Sequence, residues 1–290
     1  MSQPPAASEM RIIEFDGLRL AIDALDSLGL GHGQAFEPEI AAALLRWTQT
    51  GDTVVDIGAN IGLFTAQLAR AVGPTGTVHA FEPEPANHAL LAGNMARNGF
   101  GQVRLHAAAL GAEPGTTQLH TSDFNGGMHR LYDSVVCSGP AVDVPVYRID
   151  DVFAATELHL IKIDVEGYEP WVLQGAERCL RASPRLKIIS EYCPPSMLEA
   201  GTLPSDMLHR LLGLGYHPHQ LDGTAVDITE LLADAARYES HGRERFVNAC
   251  AGRTPPEVNG LIERLTAELG CRRPFIENLL FMRRPAAPPA

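Results

Sequence analysis

Residues 53–72 read TVVDIGANIGLFTAQLARAV, and the fold class follows from how that stretch changes period. Thr53–Ile57 is a short apolar run with β-branched residues, the pattern of a strand covered on both faces. Phe64, Leu68 and Val72 then recur four apart, the pattern of a helix face, and Gly73-Pro74 stops it. Between the two lies a glycine turn from Gly58 to Gly62. A buried strand, a glycine turn and an amphipathic helix make the opening unit of a parallel α/β sheet.

The alternation continues outward. Thr77–Phe81 reads as a second strand, ending at Glu82-Pro83. A helix follows, with Pro85 in its first turn, Leu91 and Met95 four apart, and Asn98-Gly99 as its stop. Residues 103–110 read as a third strand and 115–150 as a hairpin-rich excursion. Further strands are expected at 158–165, 186–191, 216–221 and 278–282. Helices are expected at 169–181 and 205–213 and through 225–270. Together they predict an α/β, doubly wound, mostly parallel seven-stranded sheet with a helical insertion, about 225–274, before the last strand. The domain is expected over 11–284, with a disordered arm at 1–10 and a disordered tail at 285–290.

Ligands of open α/β sheets bind outside the carboxyl ends of the strands. Those ends carry acids here: Asp56, Glu82, Asp164 with Glu166, and Glu191. Buried carboxylates are costly, and active sites gather them. Gly58 and Gly62 let the backbone turn tightly and approach a ligand, and the following helix N-terminus favours an anionic group. Glu82 is placed to accept from a ribose diol. The spacing is G-x-x-x-G rather than G-x-G-x-x-G, which disfavours a dinucleotide, and no P-loop is present.

The blocks DIGANIG (56–62), FEP (81–83) with Asn87 and Asn94 beyond, IKIDVEGYE (161–169) and IISE (188–191), in that order, resemble the FkbM-family methyltransferases. The likeness runs over about 36–221, with the closing strand at 278–282. It implies the class I methyltransferase (Rossmann-like) fold and S-adenosyl-L-methionine as methyl donor. By position it puts Asp56, Gly58, Asn60 and Gly62 around the methionine part, with Ala59, Phe64 and Pro83 in the same site. Glu82 falls on the ribose, and Ala107 and Ala108 on the adenine. No acid ends the third strand to meet the adenine amino group, which leaves Asp123 as a weak substitute.

Asp164 is a candidate base for an acceptor hydroxyl, or it fixes the strand end; position alone does not rank the two. Lys162 lies one pleat behind it on the same face and needs an anion, as a structural pair or as the group that orients the acid. Glu166, Glu191 and His129, in the loop N-G-G-M-H, complete the candidate catalytic set. A divalent cation held by Asp164, Glu166 and Glu191 is the lesser alternative. The expected reaction is O-methylation of a hydroxyl on a small-molecule acceptor, a sugar or a secondary metabolite. The alternatives are N- or C-methylation on the same fold and a non-catalytic donor-binding regulator.

The 290 residues carry a formal net charge of −12, against the basic surface that nucleic acid would need. No apolar run reaches membrane-spanning length. Five cysteines without a C-x-x-C pair, and a start without a charged segment leading into an apolar one, point to a cytoplasmic protein. The insertion repeats Ile228, Leu231, Leu232 and Ala235, then Leu261, Leu265 and Leu269, at helical spacing. It reads either as a structural or homodimer-forming appendage, or as a lid in which Arg243, Arg245 and Arg253 hold an anionic acceptor.

Overall fold

The computed structural model describes residues 11–283; the arm expected over 1–10 and the tail over 285–290 lie outside them. The described chain opens on a hairpin absent from the sequence reading, β1 (Arg11–Phe15) and β2 (Leu18–Ile22). Its turn residues Asp16 and Gly17 both take positive φ, 50° and 71°, as a two-residue hairpin turn of primed type requires. α1 (Pro38–Trp47) follows.

The α/β alternation then begins with β3 (Thr53–Ile57), α2 (Leu63–Val72), β4 (Thr77–Phe81), α3 (Pro85–Arg97) and β5 (Val103–His106). An excursion of β6 (Ala109–Leu110), β7 (Gly115–His120) and β8 (Ala141–Tyr147) forms a separate three-stranded sheet. The alternation resumes through α4 (Ile149–Val152), β9 (Leu160–Ile163), α5 (Glu169–Gln174), α6 (Glu177–Ala182), β10 (Lys187–Tyr192), α7 (Pro194–Glu199), α8 (Pro204–Gly213) and β11 (Tyr216–His219). Three helices, α9 (Ile228–His241), α10 (Arg243–Cys250) and α11 (Pro255–Glu268), precede β12 (Glu277–Arg283).

The main sheet orders as β11-β12-β10-β9-β3-β4-β5. Every pairing is parallel except those of β12, which runs antiparallel between β10 and β11. The doubly wound, mostly parallel seven-stranded sheet expected from the sequence is therefore what the chain forms. Alternate residues feed two cores. Val54, Leu160 and Ile189 pack beneath α1, α2 and α3. Val55, Ile161 and Ile188 pack on the other face with α5, α6 and α8. The same pleat sends Asp56 and Lys162 to the α2 side, two residues on from Val54 and Leu160.

Two expected elements divide. The strand expected over 103–110 breaks after His106, and Ala109–Leu110 leaves to pair with Val146 and Tyr147. Ala107, between them, is exposed. The helix expected over 169–181 breaks around Gly175, where a Cβ would stand 2.0 Å from the Gly111 carbonyl oxygen. Asp150 caps the resumed helix, accepting from Arg178 N at 3.0 Å and Cys179 N at 2.8 Å.

The insertion builds a satellite core of its own. Phe246, Cys250, Val258, Ile262 and Leu265 close around Val136, with Met128, Val135 and Cys137 against them. Its helices therefore brace the 128–137 segment.

Candidate active site

The turn after β3 is shaped by what stands behind it. Gly58 has φ +78°, and a Cβ there would come within 1.9 Å of the Asp164 carbonyl oxygen, so no side chain fits. The Gly58 and Ala59 amides both donate to Phe81 O at 3.0 Å, tying the turn to the end of β4. Asn60 also takes the left-handed region, at φ 50°. Its amide donates to Glu82 Oε2 at 2.8 Å, and the Glu84 amide donates to Oε1 at 2.9 Å. Burial, outweighing these two bonds, pushes Glu82 up to about 7.

Beside the turn, a buried cation joins two acids. Lys162 is 3% exposed. Its Nζ lies 3.2 Å from Asp164 Oδ2 and 3.6 Å from Asp56 Oδ1. Burial alone would lower its pKa; Asp164 and Asp56 overcome that and hold it above its ordinary value. Asp56 is fully buried, takes the Thr65 hydroxyl at 2.6 Å, and is raised by its burial. Lys162 also stands over the Phe64 ring, 5.1 Å from its centroid.

The turn after β9 carries the next acids. Glu166 has φ 60° and Gly167 φ 99°. A Cβ on Gly167 would meet Ser196 O at 2.6 Å. Glu166 Oε2 lies 2.5 Å from the guanidinium of buried Arg130. Tyr132 donates its hydroxyl to Glu166 O at 2.8 Å. Glu191 ends β10 with Oε2 buried and without a hydrogen-bond partner. Its burial, then the nearby Glu166, Asp164 and Glu169, push it well above its ordinary value.

These groups line one cleft of about 250 Å³. Of the residues expected from the sequence, Gly58, Ala59, Asn60, Phe64, Glu82, Pro83, Ala108, His129, Lys162, Asp164, Glu166 and Glu191 are on its wall. Three are not. Asp56 is beneath the wall, covered by α2 and Lys162. Gly62 faces α3, where a Cβ would reach Leu91 Cδ1 at 2.5 Å, so it serves helix packing. Ala107 is exposed where the chain leaves the sheet. Asp123 is exposed and outside the cleft as well.

His129 Nδ1 accepts from the Ser122 amide at 3.0 Å, and burial lowers its pKa. The neutral ring therefore presents an Nε2–H to its surroundings. Among the described residues no group of three or more His, Cys, Asp or Glu could hold a metal ion. Asp164 and Glu166 are drawn to Lys162 and Arg130 instead of to one another.

The sequence reading missed several wall residues. Glu37 comes from the turn before α1 and Ile276 from the bend just before β12. Gly126 is held over the cleft by three side chains: Asn87 Nδ2 donates to its carbonyl at 2.7 Å, Asn60 Nδ2 at 3.4 Å, and its amide donates to Ser27 Oγ at 2.8 Å. The loop N-G-G-M-H, named above for His129, was the trace of this strap in the sequence. No residue of α9, α10 or α11 reaches the wall. Arg243 donates instead to Glu199 O at 3.0 Å. The helices pack on the 128–137 segment, which carries Met128, His129 and Leu131 of the wall. None of the described helices is long and apolar enough to cross a membrane.

The family described as the methyltransferase FkbM domain matches residues 56–218, from within β3 to within β11 and just over half of the chain. "31-O-demethyl-FK506 methyltransferase FkbM" of Streptomyces tacrolimicus is 32% identical, over 44% of this chain and 60% of that protein. "Methyltransferase 1" of Beauveria bassiana is 30% identical, over 43% of this chain and 58% of that one. The chain thus spans about 60% of the length of these curated relatives. The crystal structure of methyltransferase FkbM from Methylobacillus flagellatus KT is similar at 20% identity and a TM-score of 0.40, covering 60% of this chain and 42% of that one.

Proposed function

The chain belongs to the FkbM methyltransferase family, and from that premise we propose that it transfers a methyl group from S-adenosyl-L-methionine to a hydroxyl of an uncharged small molecule. The observation that carries the donor half is Glu82. Each of its oxygens takes one backbone amide, from Asn60 and Glu84, and keeps lone pairs for the two hydroxyls of a ribose. Phe81, Ala108, Leu110 and Leu119 add apolar wall beside it, suited to a purine face. The Gly58–Asn60 turn and the α2 N-terminus suit the carboxylate end. When bound, the donor supplies an electrophilic methyl on a sulfonium.

The chain's own residues have to align the acceptor and take its proton. Asp164, at the β9 end and braced by Lys162, is on the wall for that task. Glu191, held well above its ordinary value by burial, is suited to donate a proton to an acceptor oxygen. Five acidic side chains (Glu37, Glu82, Asp164, Glu166 and Glu191) face the cleft against one ammonium, Lys162, and with a proton on Glu191 the acids still outnumber it. That balance disfavours a phosphorylated or carboxylated acceptor. Oxygen as the acceptor atom is supported by the name of the Streptomyces relative, a methyltransferase of 31-O-demethyl-FK506.

Calorimetry with S-adenosylhomocysteine tests the donor site, and its release during turnover tests the acceptor. Glu82→Ala should weaken S-adenosylhomocysteine about 10- to 100-fold, the scale of a lost charged hydrogen-bond partner. Unchanged affinity in a folded variant would refute the donor assignment. Faster turnover of amine than of matched hydroxyl acceptors would refute the oxygen assignment.

A further inference from the structure

Four of the five carboxylates on the cleft wall have an electrostatic answer within the protein. Glu82 has two amides, Asp164 has Lys162 and Glu166 has Arg130. Glu191 is raised well above its ordinary value by burial and by the neighbouring acids. Glu37 is left. Its Oε2 is buried and has no hydrogen-bond partner. It occupies the N-cap position of α1, yet its side chain makes no capping bond. Its backbone sits at φ 42°, ψ 60°, a left-handed conformation that residues with a Cβ seldom hold unless the surroundings impose it.

The surroundings place it on the cleft wall. Pro38 starts α1 directly after it. Phe36, directly before it, packs on Phe64 with ring centroids 6.0 Å apart. Phe64 is in the first turn of α2, the helix whose N-terminus suits the donor's carboxylate. The charged groups that act on Glu37 are Asp164, Lys162 and Glu166, all from β9 and its following turn. An amino acid's carboxylate and ammonium are joined through one carbon, so an anion-accepting helix end needs a carboxylate close by for the cation.

We propose that Glu37 binds the α-ammonium of the methyl donor's amino-acid end. This assignment rests on the donor-binding reading above and adds a residue that lies outside the span matched by the family.

It has a proton signature. In the free protein burial, aided by Asp164 and opposed by Lys162, pushes Glu37 up to about 7. A bound ammonium favours the ionised carboxylate and draws that value down. The complex therefore holds fewer protons than the free protein near pH 7. Binding releases a fraction of a proton, and affinity falls as the pH drops below about 7.

The test is calorimetry at pH 7 in two buffers of different ionisation enthalpy, with S-adenosylhomocysteine and 5′-methylthioadenosine, which lacks the amino-acid end. Glu37→Gln should weaken S-adenosylhomocysteine about 10- to 100-fold and leave 5′-methylthioadenosine within about twofold, which also reports that the variant is folded. Wild type should release more proton with S-adenosylhomocysteine than with 5′-methylthioadenosine, and Glu37→Gln should abolish the difference. The desamino analogue of S-adenosylhomocysteine should bind wild type and Glu37→Gln alike. Equal loss of both nucleosides, no loss of either, or a proton difference that survives in the variant would overturn the assignment. Failure of both to bind wild type would instead overturn donor binding itself.

Discussion

Replacing Lys162 by Met removes the cation between two acids while keeping a long, unbranched side chain. Asp56 is fully buried, and its Oδ1 faces Lys162 Nζ at 3.6 Å without making a hydrogen bond. Breaking a buried pair from one side costs about 3–5 kcal/mol, because the remaining charge is uncompensated. For a domain of this size, each kcal/mol moves the melting temperature by roughly 2–4 °C, so a fall of about 10 °C is expected. The cost should depend on pH. Asp56 is already raised by burial, and without Lys162 it rises further. The folded variant then binds a proton that the unfolded chain, with an ordinary Asp, does not. Stability therefore falls as pH rises, by about 1.4 kcal/mol per unit for that proton. Urea unfolding of wild type and Lys162→Met at pH 8 and pH 5 reads this as a deficit that shrinks at the lower pH. Adding Asp56→Asn to Lys162→Met should recover most of the loss at pH 8. A deficit under about 1 kcal/mol, or one that is the same at both pH values, would refute the reading of Lys162 as the neutraliser of Asp56. Turnover of the double variant separates its two roles: if Lys162 also orients Asp164, the rate stays low after stability returns.

Two other perturbations follow from close contacts. Gly58→Ala sets a Cβ 1.9 Å from Asp164 O at a positive φ, so it should cost at least about 2 kcal/mol and weaken S-adenosylhomocysteine; wild-type melting would show that the turn can move. Phe246→Ala, in the satellite core of the insertion, should cost roughly 3 kcal/mol and raise amide hydrogen exchange across 128–137, and unchanged exchange there would count against bracing of that segment by the insertion.

What was legible in the sequence is what strand and helix periodicity can carry. The acids at the ends of β4, β9 and β10 could be placed on one edge because the ends of parallel strands converge there. The burial of Asp56 was legible too, had the pleat been followed: it shares a face with Val54, and that face is covered by α2. Glu37 and Arg130 could not be read in this way. Neither belongs to the strand–helix alternation that builds the main sheet, and each is set by contacts distant in sequence. Phe36 on Phe64 fixes the one; the satellite core and Tyr132, thirty-four residues from Glu166, fix the segment that carries the other. This bears on chemistry as well as on geometry. Three acids on adjacent strand ends invite a metal when seen alone. Once Arg130 is opposite Glu166 and Lys162 is between Asp56 and Asp164, the acids separate into those that face a cation and Glu191, which faces other acids. A carboxylate's role here is decided by the cation facing it, and in the case of Glu166 that cation arrives on a loop, where no period announces it.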